Sequence, residues 1–128
     1  MITTKLVGVS FENRQELLKK VSLSTKIKLI REKNNIHDKN AIGVLASVER
    51  FNKITGWTMT WVHIGYIPAD LSMKLSPLAD RGLISLEKVS ILNLLTSGKK
   101  NSMMGVEIAI DVDAILLPIG EKFAKEEN

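Results

Sequence analysis

The sequence predicts a mainly β domain, a six-stranded barrel of the OB or SH3-like kind with two short helices. Three observations carry that expectation. Short apolar runs with strand-like alternation recur along the 128 residues, separated by polar or glycine-marked turns. Only two stretches hold apolar residues at helical spacing. The strands are mostly neighbours in sequence, and the β–α–β–α alternation of a parallel doubly wound sheet is missing. An open α+β sheet is the alternative. No repeat, linker or low-complexity tract divides the chain, so residues 1–128 read as one domain.

In order, Lys5 to Phe11 alternates as a strand carrying Gly8, where a neighbouring backbone can approach closely. Asn13 reads as an N-cap with Glu16 at the third helical position, and Leu17, Leu18 and Val21 as the buried face of a short helix. Lys26 to Arg31 alternates charged and apolar residues, a half-buried strand with its basic face in water. Ala41 to Val48 and Trp61 to Ile67 are the next two strands. Asp70 to Arg81 is a helix with Asp70 as N-cap, Gly82 as its stop, and Pro77 expected to kink or divide it. Leu86 to Thr96 and Met104 to Ile115 form a closing hairpin around the polar turn Ser97 to Asn101, in which Lys99 and Lys100 form a solvated tip. Met103 and Met104 fill core or hairpin space. Residues 119–128 read as a polar tail.

Composition narrows the chemistry. The absence of cysteine excludes zinc ribbons, thiol redox centres and disulfide frameworks, and His37 and His63 cannot build a structural zinc site without thiolates. No apolar run nears the roughly 20 residues that span a bilayer, and the N-terminus lacks a signal-peptide core, so a cytoplasmic protein is expected. The net charge of +4 is uneven: residues 1–53 carry 11 Lys/Arg against 5 Asp/Glu, and residues 54–128 carry 7 against 9. A polyanionic partner would meet the first half.

The stretch Arg31 to Ala41 is the most unusual. It sets a dense run of polar residues between two apolar strands, too long for a tight hairpin turn. Asn and Asp at this density favour side-chain bonds to the loop's own amides. The loop then either caps its own backbone or forms a preformed polar pocket, with Asn35 and Asp38 as acceptors among Arg31, Lys33 and Lys39.

Three separated blocks in order, Gly8 in Leu-Val-Gly-Val, the run Arg31-Glu32-x-Asn34-Asn35-x-x-Asp38-x-Asn40-Ala41-Ile42-x-Val44, and Ile64-Gly65-Tyr66-Ile67-Pro68, are similar to the HIRAN domain. That family occurs at the N-terminus of some Swi2/Snf2-type ATPases and as a stand-alone bacterial module. The resemblance covers residues 4–84, and residues 85–115 fit its closing strands. It implies an OB-like barrel that binds single-stranded DNA at a free 3′ end, in repair or replication-fork processing, beside a partner ATPase or nuclease. Phe11 matches the family's stacking aromatic, and Asn35 and Asp38 match the residues holding the end nucleotide and its 3′-hydroxyl. His37 stands where an aromatic is usual, and Tyr66 matches a nearby ring. Arg31, Lys33 and Lys39 would then compensate phosphate charge. The sequence departs from the family pattern at Ser10, Lys33 and Ile36.

Residues 49–60 make the following connection longer than expected, and hold Phe51 and Trp57 close to Trp61. These rings either staple a long hairpin onto the barrel or extend a stacking platform. His63 lies in an apolar strand, as a structural histidine does. His37, Asp38 and Glu32 do not match a metalloprotease, nucleophile-elbow or phosphate-loop pattern. The sequence therefore predicts a non-catalytic, cofactor-free DNA-binding module. The alternative is a regulatory barrel that binds a protein through the same loop.

Overall fold

The computed structural model of the chain describes residues 1–9, 14–95 and 104–114. The elements run β1 (Ile2–Lys5), α1 (Arg14–Leu18), β2 (Ile27–Arg31), β3 (Ile42–Asn52), β4 (Gly56–Tyr66), α2 (Ala69–Asp80), β5 (Ile84–Leu95) and β6 (Gly105–Ala114). Phe11, the Asn13 cap, the turn at 97–101 and the tail at 119–128 lie outside the described residues. Among those residues, no helix is long and apolar enough to cross a membrane.

The mainly β expectation holds, but no closed barrel forms among the described residues. The strands divide into two antiparallel sheets, ordered β1-β6-β5 and β2-β3-β4. Closure requires every edge to find a continuous ladder, and neither seam provides one. At the first, the chain leaves β6 after Leu6, whose N–H bonds the Val106 carbonyl, and crosses to β4. There Val7 and Tyr66 exchange two backbone hydrogen bonds of 2.9 Å. Gly8, at φ 70°, then takes the backbone out of extended geometry. At the second seam a groove lined by Leu29, Arg31, Ile84 and Leu86 separates β2 from β5. The first strand consequently lies at residues 2–5, earlier than the Lys5 to Phe11 alternation suggests.

The sheets face each other across an aliphatic core. Val106, Ile108 and Ile110 of β6 are fully buried, as are Ile42, Val44 and Ala46 of β3 and Ile64 of β4. Leu18 of α1 is also fully buried, while Leu17 is only partly so. Gln15 fastens α1 in place: its amide donates to the carbonyls of Val9 and Met104, and its oxygen accepts the Met104 N–H at 2.8 Å.

Two further expectations change. Helix α2 starts at Ala69 with Pro68 as N-cap, placing Asp70 in the first turn, because the Pro68 carbonyl accepts the N–H groups of Leu71 and Ser72. Pro77 does not divide it. In the last turn proline forgoes one bond, to Met73, on the solvent side. Gly82, at φ 71°, closes the end, with the Leu83 N–H bonded to the Leu78 carbonyl.

The long connection at 49–60 is no separate insertion. It continues the β3–β4 ladder from Ser47↔Trp61 out to Asn52↔Gly56. Phe51 and Trp57 face one another across it with ring centroids 5.5 Å apart. The Asn52 side chain accepts the Ile54 N–H at the tip.

Candidate nucleic-acid interface

The Asn/Asp loop connects β2 to β3, and its geometry is set by its own side chains. Asn35 Oδ1 accepts the N–H groups of His37 and Asp38, at 2.9 and 3.1 Å. Asp38 Oδ1 accepts the Asn40 N–H at 2.8 Å, and the Asp38 carbonyl accepts from Ala41. These bonds shape the loop locally, and Arg31 of β2 and Ser76 of α2 add bonds to its Lys39, Ala41 and Asn40 carbonyls. The loop's own bonds use one carboxylate oxygen of Asp38. The other, Oδ2, receives no hydrogen bond among the described residues.

The self-capped loop also walls a cleft of about 360 Å³. Asn35, His37 and Asp38 form one side, and Val7, Gly8, Arg14 and Tyr66 the other. The loop therefore caps its own backbone and also borders a cleft, but Arg31, Lys33 and Lys39, the donors expected around Asn35 and Asp38, do not line it. Glu32 links the two sides: its Oε1 accepts from Asn35 Nδ2 at 3.0 Å and from the Tyr66 hydroxyl at 2.9 Å. Its Oε2 lies 3.3 Å from His63 Nε2, and the His63 and Tyr66 rings pack with centroids 4.6 Å apart. Gly43 makes room for this group, because a Cβ there would stand 2.6 Å from Glu32 Oε2.

Burial alone would raise the Glu32 carboxyl. The hydrogen bonds from Asn35 and Tyr66, with His63 beside it, outweigh burial and hold it below its ordinary value of 4.5. A carboxyl depressed in the folded state contributes stability above its ordinary value, and that contribution disappears as pH falls through the depressed one. In thermal melts taken from neutral to acid pH, the native chain should lose stability more steeply than Glu32→Gln below about pH 4.5. Parallel curves would show that the network adds nothing to the fold.

The basic residues do not gather at the cleft. Lys26-Ile27-Lys28-Leu29 alternates, but Ile30 breaks the pattern. Arg31 therefore falls on the phase of Ile27 and Leu29, facing α2 instead of water with Lys28. Its guanidinium binds both carboxylate oxygens of Asp80 at 2.8 Å and donates to the Ala41 and Lys39 carbonyls. The hydrogen bond to Asp80 raises the Arg31 pKa further, and Asp80 is lowered by the same bond. Lys33 is exposed, with Nζ 3.9 Å from Asp80, and Lys39 is exposed outside the cleft wall. Arg31→Ala should cost about 1–2 kcal/mol of stability through the lost loop bonds. It should leave the salt dependence of DNA binding unchanged. Native stability with a salt slope reduced by about one would return Arg31 to phosphate contact.

The cation at the cleft is Arg14, which the sequence shows only as the residue after a helix cap. It is 6% exposed, donates to the Gly8 carbonyl at 2.6 Å, and has its guanidinium carbon 5.4 Å from the Tyr66 ring centre. Arginine is rarely this buried without a specific purpose. Its proximity to Asn13 gave no sign of that, because burial here depends on the crossing of residues 6–9 over β4.

A two-sheet β domain with a largely apolar cleft, bordered by the polar side chains of a self-capped loop and by an aromatic ring, has the form of a ligand-binding module. Residues 1–106 match the HIRAN domain, and the chain belongs to that family. HIRAN domains are known as DNA-binding modules, which is consistent with a nucleic-acid-binding role here. A crystal structure of a protein from Lactobacillus plantarum shares the fold at a TM-score of 0.54 and 19% identity, over 87% of this chain and 93% of that one. No curated protein matches the sequence.

Proposed function

We propose that this chain is a non-catalytic cytoplasmic module that binds single-stranded DNA at a free 3′ end and brings a partner ATPase or nuclease to it, in repair or fork processing. One observation carries the reading. Asn35, His37, Asp38 and Tyr66, matched separately in the sequence, line a single cleft. Among the described residues only one carboxylate oxygen of Asp38 accepts a hydrogen bond, which leaves the other to accept from an incoming donor in this reading. A 3′-hydroxyl is such a donor, and a charge-assisted bond to it is stronger than a neutral one. A 3′-phosphate in the same place would be repelled. Asn35 positions Asp38, Tyr66 borders the terminal nucleotide, and Arg14 balances the nearby charge. Arg31 shapes the loop. Phe11, beyond Gly8, remains the family's candidate for base stacking.

Fluorescence anisotropy at low salt tests the reading. Single-stranded oligonucleotides with a free 3′-hydroxyl should bind more tightly than their 3′-phosphorylated counterparts. Absence of any binding would favour the alternative of a protein-binding surface at the same loop. Cleavage of the DNA with added divalent metal, lost in Asp38→Ala, would show an enzyme.

A further inference from the structure

Glu32 does not line the cleft, yet its carboxylate is bonded to both sides of it. Its backbone stands at the base of the Asn/Asp loop. The Glu32 N–H bonds the Ala41 carbonyl at 3.0 Å, and the Glu32 carbonyl accepts the Asn35 N–H at 3.1 Å. Both ends of the loop thereby fix where the side chain starts. Burial opposes ionisation of the carboxyl, but the bonds from Asn35 and Tyr66, with His63 beside it, outweigh burial. At neutral pH the group is charged and can only accept.

An acceptor in this place dictates which way round Asn35 sits. An asparagine side chain has a donor end and an acceptor end of nearly the same shape. Glu32 Oε1 takes Asn35 Nδ2 at 3.0 Å, which turns Oδ1 toward the N–H groups of His37 and Asp38. The reverse orientation would set Nδ2 against two N–H groups and Oδ1 against a carboxylate oxygen, unfavourable at both ends. The same Glu32 oxygen accepts the Tyr66 hydroxyl at 2.9 Å, so one atom ties the loop to the ring across the cleft. Arg31 and Ser76 hold the later half of the loop, at the carbonyls of Lys39, Asn40 and Ala41. Glu32 holds the half that carries Asn35.

Resting on the end-binding reading, we propose that Glu32 is a positioning residue for the terminal nucleotide. Without touching DNA, it orients Asn35, sets Asp38 for the 3′-hydroxyl through Asn35, and fixes that wall relative to Tyr66.

Anisotropy with single strands ending in a 3′-hydroxyl or a 3′-phosphate tests this, with melting curves to check folding. Glu32→Ala should weaken the hydroxyl strand by roughly 3- to 10-fold, the range of one hydrogen bond, and leave the phosphorylated strand within about twofold of native. Added to Asp38→Asn, the same substitution should cost the hydroxyl strand nothing further, because Glu32 acts through Asp38. Losses that add would overturn the proposal. Asn35→Asp sets two carboxylates against each other and should also lose the preference for the hydroxyl. Combining Glu32→Gln with Asn35→Asp exchanges donor and acceptor at the native net charge, and should restore most of it. This rescue decides the matter even where the alanine variant melts too low to assay. A combined variant as poor as Asn35→Asp alone would overturn the proposal. A native chain that prefers the 3′-hydroxyl, with a preference that Glu32→Ala and Asn35→Asp both keep, would remove the role of Glu32 and leave the end reading standing. Absence of that preference in the native chain would remove both.

Discussion

Asp38→Asn should lower affinity for a strand ending in a 3′-hydroxyl by roughly 10- to 100-fold, from the loss of a charge-assisted hydrogen bond. It should raise affinity for the 3′-phosphorylated strand. The substitution keeps the shape of the loop. The amide oxygen still accepts the Asn40 N–H that Asp38 Oδ1 takes at 2.8 Å, and Asn35 still holds the 37–38 amides. What changes is the charge of a side chain that lines the cleft. Asp38→Ala is a poorer test, because it also removes the Asn40 bond and loosens the loop. The crossing of the two affinities distinguishes end recognition from general attraction to DNA. In the latter case, deleting a negative charge would tighten binding of both strands alike. Equal tightening, measured by anisotropy with the two oligonucleotides, would mean that Asp38 does not grip a hydroxyl.

The parts of this site that could be read from sequence are those whose geometry is local. Asn35 and Asp38 bond to amides two or three residues away, so their composition and spacing already describe the loop they build. The alternation of Val106, Ile108 and Ile110 likewise announces their burial, since period-two patterning follows from the strand itself. Non-local features were not legible in this way. Arg31 looks like a solvent-facing cation beside Lys28 until the break at Ile30 is counted, and only the arrival of α2 supplies Asp80 as its partner. Arg14 is drawn inward by Gly8, and Glu32 by Tyr66, across 6 and 34 residues of sequence. Residues 49–60 resembled an insertion because threonine, lysine and glycine interrupt the apolar pattern. Their exposed ladder needs hydrogen bonds but little burial, and periodicity signals only burial. The barrel expectation failed at the seams for a related reason. Strand neighbours can be inferred from sequence, but whether two edges meet depends on where the chain turns, and Gly8 turns it after a single bridge.

Gly65→Val should destabilise the fold by about 2–3 kcal/mol, the upper part of the range for overpacking. That corresponds to a drop of roughly 8–12 °C in melting temperature for a chain of this size. Gly65 lies where residues 6–9 cross β4. A Cβ there would stand 3.0 Å from the Val7 carbonyl oxygen, 3.1 Å from the Val9 side chain and 3.2 Å from Leu6 Cβ. The nearest of these is backbone, fixed by its hydrogen bond from the Tyr66 N–H, so it cannot swing aside as a side-chain tip would. One methyl requires a shift of a few tenths of an ångström; a branched side chain requires far more. Gly65→Ala should therefore fold with a smaller loss. Even so, it should impair DNA binding, because the displaced segment includes Val7 and Gly8, which line the cleft opposite Asp38. Stability and binding should separate along this series, with the alanine variant weakened mainly in binding and the valine variant in both. A valine variant that melts with the native chain would show that the crossing is loose. The single Val7–Tyr66 bridge would then not be what sets the width of the cleft.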